Sequence, residues 1–168
     1  MFKLVAVCLY LMPALVFSST LHQGYYQQER SITGFSQPFH SKGRYCIKDN
    51  LIIWIQTSPY HQVTKIDHDH ITVDDKPVKK AAWYGSAYNI MIAVLRQDTV
   101  RLEQIFTITS EANHSQQVLI PKSQPVNKVY QSIILFSKNR VLEQVIFKQV
   151  NQDVMSIKLS PSSDVQCN

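Results

Sequence analysis

The stretch GYYQQERSITGFSQPFHSKGRYCIKDNLIIW, residues 24–54, decides the fold of this 168-residue chain. Side chains alternate between apolar and polar along 25–33, 43–47 and 51–56, the period of strands with one buried and one wetted face. Turn-forming residues separate these runs: Gly34 to Pro38 first, then Lys48, Asp49 and Asn50. Three strands joined by two short turns read as the start of an antiparallel meander.

The same period continues outward. Runs at 61–66 and 71–74 extend the first set, and a second set follows at 106–111, 116–120, 128–136, 141–149 and 154–159. Between the sets the period changes. Trp83, Tyr84, Tyr88, Met91, Ile92 and Leu95 recur at spacings of three and four and share a helical face. A shorter helix is predicted over 99–105, with Asp98 as its N-cap. Helices inserted once into a long antiparallel run predict an α+β fold in which a curled sheet is covered by helices on one face.

Composition narrows the function classes. Hydrophobic residues make up 45% of the chain and charged residues 17%, which excludes a disordered polypeptide. The net charge of +5 comes from scattered basic residues, with Lys79-Lys80 the one adjacent pair, so no nucleic-acid-binding stripe forms. Lys3, the apolar run 4–16 and the Val16-Phe17-Ser18 site read as an export signal over 1–18, leaving a single domain over 19–168. The run is short for a ~30 Å hydrocarbon core, although an uncleaved anchor is the alternative. Removing the signal removes Cys8 and leaves Cys46 and Cys167, either a disulfide or two unpaired thiols. A bridge closing so long a loop could contribute up to ~4.7 kcal/mol.

Chemistry-bearing motifs are sparse. His68-Asp69-His70, with His61 nearby, could place two imidazoles on one strand face for a metal, but its flanking aspartates make a polar hairpin tip the simpler reading. No phosphate loop, nucleophile elbow or metalloprotease motif occurs, so neither an enzyme nor a cofactor is expected. Aromatic and aliphatic side chains are abundant instead. A curled sheet under a helix encloses an apolar hollow, the default form of a ligand site.

The segments Gly24 to Phe35, Pro38 to Tyr45, Leu51 to Trp54 with Pro59, Val118 to Lys122 and the closing hairpin 133–147 resemble LolA-type outer-membrane lipoprotein carriers. The resemblance covers nearly the whole exported chain and implies an incomplete, half-open antiparallel β-barrel with helices covering its concave face, in a monomeric periplasmic protein that carries the acyl chains of lipoproteins, or another lipid. By the same resemblance its partners are an inner-membrane release complex and an outer-membrane acceptor. The chain departs from the family in two ways. It has Ile47-Lys48-Asp49-Asn50-Leu51 where the best-known carriers have Arg-Pro, and only six residues between the signal and the first strand.

A carrier of this kind needs an apolar cavity and no catalytic group. The expected lining is Tyr26, Tyr45, Ile52, Trp54, Trp83, Tyr88, Met91, Ile92, Leu95, Ile133, Leu135 and Phe147. The alternative is a non-catalytic structural or interaction protein of the cell envelope with a filled interior. A void above ~300 Å³ favours carriage, and close packing favours the alternative.

Overall fold

In the computed structural model, which describes residues 22–79, 84–111 and 115–166, the alternating runs form one antiparallel sheet of eleven strands. The first six are β1 (Gln23–Ser31), β2 (Phe39–Lys48), β3 (Leu51–Ser58), β4 (Gln62–Ile66), β5 (Ile71–Val73) and β6 (Lys76–Pro77). Helices α1 (Tyr84–Leu95) and α2 (Thr99–Ile105) follow. Then come β7 (Phe106–Ser110), β8 (Gln116–Pro121), β9 (Tyr130–Lys138), β10 (Val141–Gln149) and β11 (Val154–Pro161). Sequence periodicity missed β6, too short to show a period, and a 3-10 turn at Val126–Lys128. The proposed signal, residues 1–18, lies outside the described residues, as do Trp83 and Cys167.

The spatial order is β6-β5-β4-β3-β2-β1-β11-β10-β9-β8-β7. Each set is a meander of neighbours, and the two are joined where β1 pairs with β11, from Gly24 against Pro161 to Ser31 against Val154. The edges β6 and β7 stay apart, so the barrel is open and the fold is α+β. They are also consecutive strands in sequence, so the segment between them has to cross the open side. That segment is α1 and α2.

The sheet is strongly curled. Trp54 on β3 and Tyr130 on β9 lie five strands apart, roughly 24 Å on a flat sheet, yet both line one cavity. Reciprocal pairs assist the curl, because Gly43 faces Tyr26 and Gly24 faces Tyr45 across β1 and β2. Gly43 also sits at an irregularity in the β2–β3 register. A Cβ there would lie 1.9 Å from the Ile55 carbonyl oxygen, so only glycine lets β3 approach this closely.

The turn between the helices is set by backbone bonds. Asp98 N–H donates to the Ala93 carbonyl at 2.9 Å and Gln97 N–H to Val94 at 3.0 Å, with Gln97 in the left-handed region at φ 52°, a Schellman ending for α1. Asp98 then caps α2 by accepting from Arg101 N–H at 3.1 Å, as its position in the sequence predicts.

Two apolar layers result. The inner face of the sheet packs on α1 around Tyr26, Phe106, Leu119, Ile133 and Val145. On the outer face a smaller cluster joins Cys46, Ile53 and Ile55 of β2 and β3 to Val165, so the end of the described chain lies across these strands. The Gln23 side chain donates to the Ser163 and Val165 carbonyls and holds it there. Cys46 is disulfide-bonded.

Gly43→Ala is expected to lower the unfolding free energy by roughly 1–3 kcal/mol, because backbone has to move to admit the methyl group. Gly85 in α1 has nothing within 4 Å of an added Cβ, and Gly85→Ala should raise stability by roughly 0.5 kcal/mol. Urea denaturation of the two variants checks both signs.

Candidate functional site

Helix α1 is apolar on nearly its whole circumference, and it divides that surface between two neighbours. Tyr88 and Ile92 press on Ile47 and Ile52, with Ile66 and Met91 at the margin. On the adjoining side Ala87, Ile90, Met91, Val94 and Leu95 roof an apolar cavity of about 110 Å³. Its floor is Trp54 of β3, Tyr130 at the start of β9, Val145 and Phe147 of β10, and Met155, Ile157 and Leu159 of β11.

Aromatic packing fixes the wall at β3. The Trp54 ring lies 4.0 Å from the Tyr26 ring at 33° and 6.0 Å from the Tyr45 ring at 32°. At the opposite wall Tyr130 lies 5.7 Å from Phe147. Burial dominates the electrostatics of these phenols. It pushes the Tyr45 hydroxyl up to about 12 and raises Tyr130 as well. It also raises Tyr26, offset in part by the Trp54 and Ser41 side chains beside it. The Tyr26 hydroxyl is nonetheless enclosed without a well-formed hydrogen bond. A site of neutral aromatics with no charged side chain in its lining suits hydrocarbon, not an ion.

The attachment of α1 is asymmetric. The Tyr88 hydroxyl donates to the Asn50 carbonyl at 2.6 Å, and the Tyr84 hydroxyl lies 2.6 Å from the Asp67 carbonyl and 2.7 Å from that of His70. Both anchors stand at the β2–β3 and β4–β5 turns. Among the described residues no backbone hydrogen bond joins α1 to a strand. Side-chain packing holds it over the cavity, and just past its C-terminal end the Gln97 side chain donates to the Arg140 carbonyl of the β9–β10 turn at 3.2 Å.

Four of the expected lining residues surround this cavity: Trp54, Met91, Leu95 and Phe147. Tyr26, Tyr45, Ile133 and Leu135 are buried in the same inner core without lining it. Ile52, Tyr88 and Ile92 form the neighbouring cluster. Trp83 lies outside the described residues. Sequence reasoning passed over Ile90 and Val94, and also Met155, Ile157 and Leu159, whose strict alternation along β11 was the signal that could have found them.

The histidine cluster is a turn. Asp67 accepts from the Asp69 and His70 backbone N–H groups at 2.7 and 2.6 Å, and these bonds, His70 first, hold its carboxyl below the usual range. His68 and His70 are exposed and each faces an aspartate, at 3.0 and 3.4 Å. Among the described residues no group of three or more histidine, cysteine or acidic side chains could hold a metal ion. Nor is any helix there long and apolar enough to cross a membrane.

No protein-family model and no curated protein matches the sequence. Similar solved structures include MucB in the Pseudomonas aeruginosa MucA/MucB complex, at 8% identity and TM-score 0.40 over 86% of this chain and 55% of that one. Another is MucB crystallised alone, at 10% identity and TM-score 0.41 over 89% of this chain and 59% of that one. A third is a Vibrio parahaemolyticus domain named for outer membrane lipoprotein sorting, at 7% identity and TM-score 0.34 over 89% of each chain. This chain spans a little over half the length of the MucB chains. At such identities and TM-scores the likeness adds no argument about function.

The raised hydroxyls have a consequence at high pH. A folded-state pKa above the ordinary 10.0 means that the fold favours the neutral phenol. Its contribution to stability is therefore complete below about pH 10 and declines as pH rises through about 12. Alkaline unfolding followed by circular dichroism should show this loss, and Tyr45→Phe should lessen it.

Proposed function

We propose that this chain is an exported, non-enzymatic carrier of acyl chains, with the cavity under α1 as the place where a chain of a lipoprotein or another lipid begins to insert. The observation that carries this reading is the lining itself, twelve residues without a charged side chain among them. Each methylene transferred from water to such a lining gains about 0.8 kcal/mol, and no catalytic group is needed. On this reading residues 1–18 are the cleaved signal, the periplasm is the compartment, and the membrane partners are a release complex and an acceptor. Cys46 pairs with Cys167, and the bridge secures the end of the chain to the outer face.

The closed cavity is smaller than a lipid. Its volume of about 110 Å³ falls short of the ~300 Å³ at which drug-sized ligand sites begin. Carriage therefore requires α1 to swing away from β9–β11 about its Tyr84–Tyr88 end, which enlarges the hollow at the loss of the Gln97–Arg140 hydrogen bond but of no described backbone bond to the sheet. The same small volume favours a second reading, an envelope interaction protein whose interior stays filled.

Two substitutions separate these readings. Trp54→Glu and Met91→Lys place a charge in the cavity, where an opening helix lets water reach it. A carrier should stay folded by circular dichroism and lose at least tenfold in uptake of a fluorescent fatty acid. In a filled core the same charges would cost several kcal/mol of a total stability of only ~5–15 kcal/mol, and both variants would unfold. Unfolded variants together with a wild type that takes up no lipid would replace the carrier reading with the second one.

A further inference from the structure

The outer face of the sheet carries a second hollow, unrelated to the apolar cavity. Gln27 of β1 is flanked in register by Lys42 of β2 and Lys158 of β11, and Tyr25 by Arg44 and Ser160. These residues border a groove of about 560 Å³, with Thr57 at its β3 side. Two strand spacings separate Lys42 from Lys158, roughly 10 Å, and Arg44 lies roughly 7 Å along β2 from Lys42. Three cations thus stand in a triangle whose longest side, Arg44 to Lys158, is roughly 12 Å, slightly more than one screening length.

No ion pair among the described residues neutralises them. Ion pairs elsewhere join Arg30 to Asp153, Lys65 to Asp75 and Arg101 to Asp98, but none among the described residues includes Lys42, Arg44 or Lys158. The Arg44 Nε is enclosed and makes no hydrogen bond. Of the nearby carboxylates, Asp164 accepts from the Tyr25 hydroxyl at 3.2 Å and from the Ser162 hydroxyl, and Glu29 stands 3.8 Å from the His40 ring. An anion placed among them would meet positive charge from three sides at low ionic strength. Beyond Gln27 and Lys158 the groove continues into a polar hollow of about 300 Å³ lined by Gln28, Gln144 and Ser156, with the Glu29 carboxylate and His40 at its far side from Lys42 and Arg44 along β1 and β2.

We propose that this groove binds a multiply charged oxyanion of the phosphate class, with Lys42, Arg44 and Lys158 as its charge partners and the Gln27 amide between them. Arginine grips phosphate oxygens through a planar fork and lysine as a point charge, so the triangle fits two or more anionic oxygens better than one carboxylate. The site lies on the face opposite the cavity and stands whether or not the cavity takes lipid.

Isothermal titration of the full chain with pyrophosphate at low ionic strength tests it. The wild type should bind, and Lys42→Gln combined with Lys158→Gln should weaken binding at least tenfold. Lys128→Gln combined with Lys148→Gln changes net charge equally and should stay within twofold of wild type, with circular dichroism checking that both pairs fold. Sedimentation with vesicles containing phosphatidic acid, whose phosphomonoester headgroup can carry two charges, distinguishes the source. Vesicle binding displaced by pyrophosphate assigns a lipid headgroup, and pyrophosphate binding without vesicle binding assigns a soluble phosphate compound. Absence of both, or an equal loss in the control pair, overturns the proposal.

Discussion

The pairing of β1 with β11 is the constraint from which the rest of the architecture follows. It brings the first and last strands together at the centre of the sheet and makes one continuous surface of two separate meanders. On the inner side of that seam Tyr26 faces Leu159, and on the outer side the end of the chain is fastened by Gln23. With the seam in the middle, β6 and β7 become opposite edges. Chain continuity then requires the stretch between them to bridge the open side of the curled sheet, and a helix with nearly all-round apolar character is what such a bridge needs.

Inner and outer faces consequently differ in kind. On the inside, α1 closes the hollow through side-chain packing, two tyrosine hydroxyls and the Gln97 amide just past its end, without backbone bonds to the sheet among the described residues. Packing of this sort can part and re-form at lower cost than a strand ladder, which would have to give up paired backbone groups. On the outside, disulfide-bonded Cys46 and the Val165 cluster stiffen β2 and β3. The cation-rich groove beside them is polar, fixed in register and remote from α1. One sheet thus offers an apolar inner surface and a charged outer one.

Much of this was legible in the sequence, because strands with one wet face write their period into the chain. β10 and α2 fall where the pattern predicts, at Val141–Gln149 and Thr99–Ile105, and Asp98 makes the cap its chemistry suggests. The candidate site was less legible. Choosing one face of α1 from its spacing placed Tyr88 and Ile92 with Met91 and Leu95, whereas the helix is buried on two flanks and only the second meets the cavity. Spacing cannot say which apolar face meets which partner. The seam between β1 and β11 joins residues more than a hundred positions apart, and no local pattern announces it. The need for glycine at position 43 likewise arises from a carbonyl on the neighbouring strand.

The central claim is that α1 leaves the sheet to admit an acyl chain. Pulsed electron spin resonance between nitroxides at Asn89 on α1 and Glu143 on β10, recorded with and without a saturating fatty acid, tests it most directly. The account predicts a single short distance in the free protein and a longer, broader distribution once lipid is bound. Lipid bound with the distance unchanged would contradict it, because the closed cavity of about 110 Å³ cannot hold the chain.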